Sequence, residues 1–247
     1  MIEVDRLMTD EYGITLIQMM ENAGRNLAEV ARHLLGGSLA QRRVVVLVGK
    51  GNNGGGGLVA SRHLVNAGAS VAVALSHAPG ELTEVSEQQR RVLAKTGVEG
   101  AGRPTSANEV VSLLGGAELV VDALIGYSLR GAPRKPASDF IIAANREADR
   151  SGTAILSLDI PSGLDGDNGH PCEPCIRASA TVTLAWPKAG LLRPGARAHV
   201  GDLYLADIGV PAAVYRAVGA EPGELFSSGP IVRVRVSAEG WQPMRES

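Results

Sequence analysis

Aromatic side chains are scarce in this sequence, in which Phe, Trp and Tyr together make up 3% of the residues. Proteins that bind single-stranded nucleic acid stack bases on such rings, so the composition disfavours that class. An excess of positive charge is missing too, because the formal net charge is −2 and the Lys and Arg residues are scattered. Nucleic-acid-binding proteins usually carry a basic patch. We therefore expect no nucleic-acid partner.

Long apolar runs are also absent. No stretch approaches the roughly 20 apolar residues that a membrane-spanning helix needs, and no basic leader followed by an apolar core opens the sequence. We expect a cytoplasmic protein with no membrane contact. With 247 residues and 45% hydrophobic content, the chain is long enough to bury one sizeable α/β core.

Only two cysteines occur, in the segment PCEPC. A zinc site needs further ligands, and only His170 lies nearby. A thioredoxin-like motif opens a helix, whereas Pro171 and Pro174 make this segment a loop. We interpret Cys172 and Cys175 as two reduced thiols at the protein surface.

Glycine, by contrast, is concentrated in one segment. Arg43–Val48 is a β-branched run typical of a parallel strand buried on both faces. Lys50–Gly57 then supplies five glycines and two asparagines, and Leu58–Ala67 has the composition of a helix. Glycines between a strand and a helix N-terminus can aim backbone N–H groups at a phosphate. The pattern predicts a phosphate-binding loop from Gly49 to Gly57.

Three other interpretations of this segment compete with the phosphate-binding loop. Gly49, Gly51 and Gly54 match G-x-G-x-x-G, but no acidic residue follows about 20 residues later to bind a ribose. That disfavours an NAD-dependent dehydrogenase, although specificity for NADP does not need the carboxylate. A P-loop is disfavoured because Lys50 precedes most of the glycines and no G-K-[ST] follows. The third interpretation is a flexible turn that binds no ligand.

The remaining sequence alternates between strand and helix patterns. Two helices are expected before the glycine segment, at Glu3–Tyr12 and Thr15–Leu35. The later elements are strands at Ser70–Ser76, Glu118–Ala123 and Ala154–Asp159, and helices at Thr83–Gly97, Ser106–Leu114 and Ala137–Arg150. This alternation predicts an α/β fold with a mostly parallel sheet, helices on both faces and an N-terminal helical extension.

Candidate ligand groups lie at or near the ends of three predicted strands. In open α/β sheets ligands lie beyond the carboxyl ends of the strands, where Gly49, Asp122 and Asp159 would meet. Either Asp alone has an ordinary alternative as a loop cap. Together they would repel a phosphate unless a cation intervenes or one carboxyl keeps its proton. Asn53, Asp122 and Ser162 offer oxygen ligands, which suit an alkali or alkaline-earth ion and not zinc.

Five blocks follow one another in the chain: GKGNNGGGGLVASRHL, VVDALIGYSLRG, SLDIPSGLDGDNG, ATVTLAWPKAGLL and GDLYLADIGVP. In this order they resemble the NAD(P)HX epimerase family, also called the YjeF N-terminal domain, and EYGITLIQMMENAGR is similar to that family's leading helices. The resemblance runs from about Glu3 to Pro211. It implies a Rossmann-like three-layer sandwich, often dimeric, which binds potassium and interconverts the R and S forms of NAD(P)H hydrated at C6 of the nicotinamide ring. The S form is the one that a partner dehydratase repairs.

The resemblance also implies roles for individual residues. One K⁺ per subunit would be bound by Asn53, Asp122 and Ser162. Losing hydroxide from C6 leaves a planar iminium that water can attack on either face, so the enzyme needs only to protonate the leaving hydroxyl and hold the ring. Asp159 is the preferred acid and base for this step, and Lys188 is the second candidate. The alternative to a catalytic role for Lys188 is that it is an ordinary lysine at the protein surface. The implied substrate contacts are Asn52, Asn53, Gly54, Gly55, Gly56, Gly126, Tyr127, Ser128, Leu129, Arg130, Gly131, Ala132 and Asp159.

One departure from the family pattern bears on activity. Gly56 stands where the family's N-N-G-G-D-G segment has Asp. If that Asp serves to start the helix, Gly56 replaces it at a cost of a few tenths of a kcal/mol. If the Asp contacts the hydrated ring or orders the ion, activity suffers. We expect the first case, and the alternative to an epimerase is a non-catalytic dinucleotide sensor or protein-interaction module.

The C-terminal part is expected to differ from the rest. We predict a family-like domain over residues 1–211 and a partly disordered extension over residues 212–247. Within the extension, Ile231–Val236 is expected to form an edge strand whose arginines block further pairing, with fraying from about Glu239. The extension is too short for the dehydratase domain, so we expect a stand-alone homodimeric epimerase and a dehydratase on a separate chain.

Overall fold

The computed structural model describes residues 2–102, 105–237 and 240–244. Its strands are β1 Arg43–Val48, β2 Ser70–Leu75, β3 Leu119–Ala123, β4 Ala154–Leu158, β5 Ala180–Leu184, β6 Asp202–Ala206, β7 Ile231–Ser237 and β8 Gly240–Pro243. Its helices are α1 Ile2–Arg6, α2 Leu16–Leu34, α3 Asn52–Asn66, α4 Glu84–Ala94, α5 Ala107–Leu114, α6 Ala137–Ser151, α7 Arg197–Val200 and α8 Ala212–Ala217. The predicted order of elements is therefore confirmed.

All eight strands form one sheet in the order β2-β1-β3-β4-β5-β6-β7-β8. β1 to β6 are parallel to one another, and β7 is antiparallel to both of its neighbours, β6 and β8. β1 lies between β2 and β3, so the strand order reverses at β1. Ligands in such sheets bind at this reversal point, which is where the predicted residues come together.

Helices cover both faces of the sheet, as predicted. Along β1, Val44, Val46 and Val48 pack with α2, α3 and α4 in one core. Val45 and Leu47 point the other way and pack with α5 and α6. Every apolar residue of the strand is buried because neither face meets solvent. This is the expected three-layer Rossmann-like sandwich.

The glycine segment is helical, which corrects the predicted loop. α3 begins at Asn52 with Gly51 as its N-cap, so Gly54–Gly57 lie in its first two turns. A Cβ at Gly55 would lie 2.6 Å from Met20, and one at Gly57 would lie 2.5 Å from the Ala123 side chain. Each glycine lowers intrinsic helix stability by about 1 kcal/mol. Close packing against α2 and the sheet determines the conformation despite that cost.

The N-terminal extension is two short helical segments, α1 and a π-helical turn at Leu7–Glu11, rather than one helix. Its apolar side chains include Val4 and Met8, which pack in a cluster with Tyr215 of α8. This packing holds α1 against the sheet. No described helix is both long and apolar enough to span a bilayer.

The C-terminal segment differs from the prediction. β7 pairs with β6 on one side and β8 on the other, so Ile231–Val236 is not the edge strand. The arginines alternate along β7 without preventing this pairing. The expected fraying is wrong for residues 240–244, since β8 completes the sheet, whereas Glu239 and residues 245–247 lie outside the described residues.

The two cysteines are free, as expected, but they are not both at the surface. Cys175 is only 2% exposed and packs with Ile160 and Leu164. Its backbone oxygen accepts a hydrogen bond from Asn145 Nδ2 at 2.8 Å. Cys172 is half-buried, and no group of three potential His, Cys, Asp or Glu metal ligands occurs among the described residues.

Candidate active site

A cavity of about 590 Å³ lies at the carboxyl ends of the parallel strands. That volume is within the range of small-molecule sites. The residue that follows each of three adjacent strands lines it: Gly49 after β1, Leu124 after β3 and Asp159 after β4. α2 covers one side through Met19 and Met20, so these methionines line the cavity as well as packing in the core.

The three glycines of the G-x-G-x-x-G match have different surroundings. A Cβ at Gly49 would lie 1.8 Å from the Leu124 backbone oxygen, and one at Gly54 would lie 2.0 Å from the Gly49 oxygen. A Cβ at Gly51 would meet nothing within 4 Å, and Gly51 lines the cavity. A tight turn, an open backbone and close helix packing are the roles of the three glycines in dinucleotide-binding folds. The geometry strengthens a match that was weak in sequence.

Asp159 and Lys188 form an ion pair inside this cavity. Lys188 Nζ donates to Asp159 Oδ1, and each side chain is only 7% exposed. Lys188 Nζ also donates to Thr183 Oγ1 at 3.2 Å and to the Leu184 backbone oxygen at 3.0 Å. Lys188 is therefore not an ordinary surface lysine. Asp159 has a backbone φ of 68°, a left-handed conformation that is uncommon outside glycine and often marks a functional site.

Tyr127 links Asp159 to a residue that sequence analysis did not single out. The Tyr127 backbone N donates to Asp159 Oδ2 at 3.2 Å, and its hydroxyl donates to Asp5 Oδ2 at 3.1 Å. Burial raises the pKa of the Asp5 carboxyl, although the Tyr127 hydrogen bond and the Lys188 charge lower it. Asp5 lies 122 residues before Tyr127 in the sequence, and no local motif marked it. Tertiary packing of α1 brings it into the cavity lining.

Asp122 is fully buried beneath the cavity. Its carboxylate accepts hydrogen bonds from Ser162 Oγ at 2.6 Å, Ser162 N at 2.8 Å, Ser157 Oγ at 2.8 Å and Leu124 N at 3.2 Å. Because Leu124 N donates to it, the Asp122 carboxylate also caps the loop that follows β3. No Lys, Arg or His in the described ranges forms an ion pair with it. Burial raises the pKa of this carboxyl, against the hydrogen bonds, which lower it.

The three predicted cation ligands gather around two residues that follow β3. Ser162 Oγ accepts from Ile125 N at 2.9 Å. Asn53 Oδ1 would be 3.4 Å from a Cβ built on Gly126. Asn53 Nδ2 is buried and has no hydrogen-bond partner among the described residues. A buried amide group without a partner costs about 1–3 kcal/mol, so this N–H group indicates a missing hydrogen-bond acceptor, separate from any cation. The all-oxygen donor set, with one uncompensated charge, fits a hard monovalent cation.

The predicted substrate contacts divide into two groups. Those lining the cavity are Asn52, Asn53, Gly56, Gly126, Tyr127, Ser128 and Asp159. Those outside the lining are Gly54, Gly55, Leu129, Arg130, Gly131 and Ala132. Sequence analysis missed four basic residues that also line it, namely Lys50, His77, Arg134 and Lys135. The positive charges of Lys50, Arg134 and Lys135 suit an anionic ligand, whereas burial and the Lys50 charge lower the pKa of His77.

Gly56 is not at the start of α3. It is the fifth residue of the helix, so the expectation that an Asp here only starts the helix is wrong. A Cβ at Gly56 would lie 2.7 Å from Leu158 Cδ2, and both residues line the cavity. Leu158 therefore fills space that a side chain at position 56 would need.

Known proteins resemble this chain over most of its length. A stand-alone NAD(P)H-hydrate epimerase from Dehalogenimonas lykanthroporepellens is 44% identical over 97% of this chain and 92% of its own length. The bifunctional NAD(P)H-hydrate repair enzyme Nnr from Moorella thermoacetica is 40% identical over 85% of this chain, which spans only 39% of that protein. The crystal structure of yeast ynu0 superposes with a TM-score of 0.79, at 27% identity over 94% of this chain and 96% of that one.

The family whose sequence profile matches residues 16–190 is described as YjeF-related protein N-terminus. The match includes β1 to β5, the glycines of α3, the cavity residues Asn53, Asp159 and Lys188, and Asp122 beneath the cavity. Asp5 precedes the matched range. The agreement of profile, full-length relatives and fold establishes that this chain belongs to the YjeF-related protein N-terminus family.

Proposed function

We propose that this protein is an NAD(P)H-hydrate epimerase, which interconverts the R and S forms of NADH and NADPH hydrated at C6. The observation that carries the proposal is the buried Asp159–Lys188 pair in a cavity beside glycines with dinucleotide-binding geometry. The full-length similarity to a stand-alone protein of that name supports it. An isomerase with this activity takes part in the repair of nicotinamide cofactors.

The reaction requires little more than proton transfer and a nicotinamide ring that is held in a fixed position. As the C6–O bond breaks, the N1 lone pair forms an N1=C6 double bond and the departing hydroxyl takes a proton to leave as water. Water then adds to the other face of C6 and loses a proton. Asp159 is the proposed acid and base, with Lys188 as its proton-bearing partner, and positioned groups of this type contribute about 10²–10⁴-fold.

The basic side chains of the cavity are the proposed contacts for the phosphates. Lys50 and His77 follow β1 and β2, next to the start of α3, where a helix N-terminus also favours an anion. Asn53 Nδ2 has no protein partner, and we propose that a substrate oxygen accepts its hydrogen bond. These contacts would leave the nicotinamide end of the substrate near Asp159.

We also propose one K⁺ per subunit, held by Asn53 Oδ1, Asp122 and Ser162 Oγ. The fully buried Asp122 carboxylate, which is hydrogen-bonded only by neutral groups among the described residues, supports a cation there. A monovalent ion would offset this negative charge close to an anionic substrate. The homodimer, the cytoplasmic location and a dehydratase on a separate chain stay predictions.

A coupled assay tests the proposed function directly. R-enriched NADHX is incubated with the protein and a dehydratase specific for the S form, and NADH formation is followed by absorbance. We expect NADH well above the rate without the protein, and the same experiment with NADPHX measures the second substrate. A rate equal to the protein-free control would contradict the epimerase and favour the non-catalytic dinucleotide sensor, whose binding of NADP is then measured by calorimetry.

A further inference from the structure

Two carboxylates reach the cavity from distant parts of the chain and are joined by one tyrosine. Asp159 Oδ2 accepts from the backbone N of Tyr127, and Asp5 Oδ2 accepts from its hydroxyl. The two carboxylates therefore accept hydrogen bonds from opposite ends of one residue. Both residues line the cavity together with Lys188. A ring bound in this cavity would have carboxylates from two separate elements in its walls.

Epimerisation through a planar iminium needs proton transfer on both faces of that ring. The departing hydroxyl receives a proton on one face, whereas the entering water loses a proton on the other. A single rigid side chain lies on only one side of a fixed ring. The Asp159–Lys188 pair therefore accounts for one face, and the second face requires another group.

We propose that Asp5 is the catalytic acid and base for the second face of the nicotinamide ring. This proposal rests on the epimerase function proposed above. In one direction Asp5 protonates the departing hydroxyl, the C6–O bond breaks with formation of N1=C6, and water leaves. A water molecule then attacks from the side of Asp159, the electron pair returns to N1, and Asp159 accepts the proton. The reverse direction exchanges the two roles, and solvent resets the protonation states.

The surroundings of Asp5 suit this role. The residue is half-buried, and its carboxylate makes no ion pair with a described residue. Burial raises the pKa of the Asp5 carboxyl, which is the direction that a proton donor needs. Burial, followed by the charge of Asp5, raises the pKa of Tyr127 to about 12. The tyrosine hydroxyl therefore keeps its proton and orients the carboxyl.

The experiment separates catalysis from a purely structural role for Asp5. Single epimers of NADHX are incubated in ¹⁸O-labelled water with the wild type, Asp5→Asn, Tyr127→Phe and Asp10→Asn, and both inversion and ¹⁸O incorporation are measured by chromatography and mass spectrometry. Asp10 is the matched control, because it is exposed on the same N-terminal segment and its carboxylate accepts a bond from Thr9 Oγ1. Melting temperatures are recorded for each variant.

We expect Asp5→Asn to lower inversion by about 10²–10⁴-fold while one epimer still incorporates ¹⁸O without inverting, because the Asp159 face remains competent. Tyr127→Phe keeps the Asp5 carboxyl and should lose much less inversion activity. Asp10→Asn should invert the epimers at the wild-type rate. Inversion in Asp5→Asn close to wild type would overturn the proposal. So would an equal loss of exchange in both epimers together with a lowered melting temperature, which would identify Asp5 as an anchor for α1. An inactive wild type would instead refute the epimerase function itself.

Discussion

Lys188 donates a hydrogen bond to Asp159 inside the cavity, and 7% of each side chain is exposed. Asp159 lies directly after β4, whereas Lys188 follows β5, so the parallel pairing of these strands brings the two residues together. A buried pair of this kind is sensitive to the loss of one partner, because the remaining charge is left without compensation. This relationship makes each residue both a catalytic candidate and a structural one.

Replacing Asp159 should therefore affect stability as well as catalysis. Asp159→Ala leaves the Lys188 ammonium buried without its carboxylate, and we expect a loss of about 3–5 kcal/mol in the free energy of unfolding. Asp159→Ala/Lys188→Met should recover much of that stability, because an apolar side chain then occupies the site, and it should remain inactive. Urea unfolding and the coupled assay measure the two effects. Normal epimerisation in Asp159→Ala would remove Asp159 from the mechanism.

The proposed cation site predicts a specific dependence of stability on potassium. A cation that binds only the folded state stabilises it by about 2.7 kcal/mol at 100 times its Kd, so the wild type should melt at a higher temperature in potassium chloride than in tetramethylammonium chloride at equal ionic strength. Asn53→Ala should remove most of that gain. In tetramethylammonium its stability should stay near wild type, because Asn53 Nδ2 has no hydrogen-bond partner among the described residues.

Asp122→Ala is less suitable for this test, since it would also leave the Ser157 and Ser162 groups without their acceptor. Equal melting temperatures of the wild type in the two salts would contradict a native cation site.

Gly51 and Gly54 give a matched pair for testing dinucleotide binding. Gly51→Ala places its methyl group in open space within the cavity lining, so we expect weaker binding of NADP with a nearly unchanged melting temperature. Gly54→Ala places its Cβ 2.0 Å from the Gly49 oxygen. The backbone must then move, and overpacking of this type costs about 1–3 kcal/mol or more. Calorimetric titration and urea unfolding separate the two effects, and unaltered NADP affinity in Gly51→Ala would exclude contact at this backbone.

Gly56 and Leu158 should be energetically coupled. A side chain at position 56 meets Leu158 Cδ2, at 2.7 Å from its Cβ, so Gly56→Asp should lower stability by about 1–3 kcal/mol. Leu158→Val removes the obstructing Cδ atom, and the double variant should be more stable than the two separate effects predict, by about 0.5–3 kcal/mol. We expect no gain in epimerase rate, because Asp122 and Asp159 are retained. Additive effects would contradict the contact, and a large gain in rate would show that activity needs a carboxylate here.

The sequence by itself determined the family and the alternating strands and helices from β1 to β4. Apolar β-branched runs such as Arg43–Val48 specify buried strands locally, and Ser106 with Glu109 forms a capping box that starts α5. Short-range patterns of this kind survive in the fold because each depends on a few neighbouring residues. Asp122 and Asp159 were identified because a residue near the carboxyl end of a parallel strand lies close to the ligand-binding edge whatever the details of packing.

Only the tertiary structure decided the conformation of Gly54–Gly57, the position of β7 and the contents of the cavity. Four successive glycines oppose a helix on propensity, and only contacts with other elements overcome that preference. β7 has the pattern of an edge strand, yet β8 pairs with it. The ion pair between Asp159 and Lys188 and the hydrogen bond between Tyr127 and Asp5 join residues far apart in the chain. Long-range contacts of this kind leave no periodicity in the sequence, so the second carboxyl of the cavity became visible only when the chain was folded.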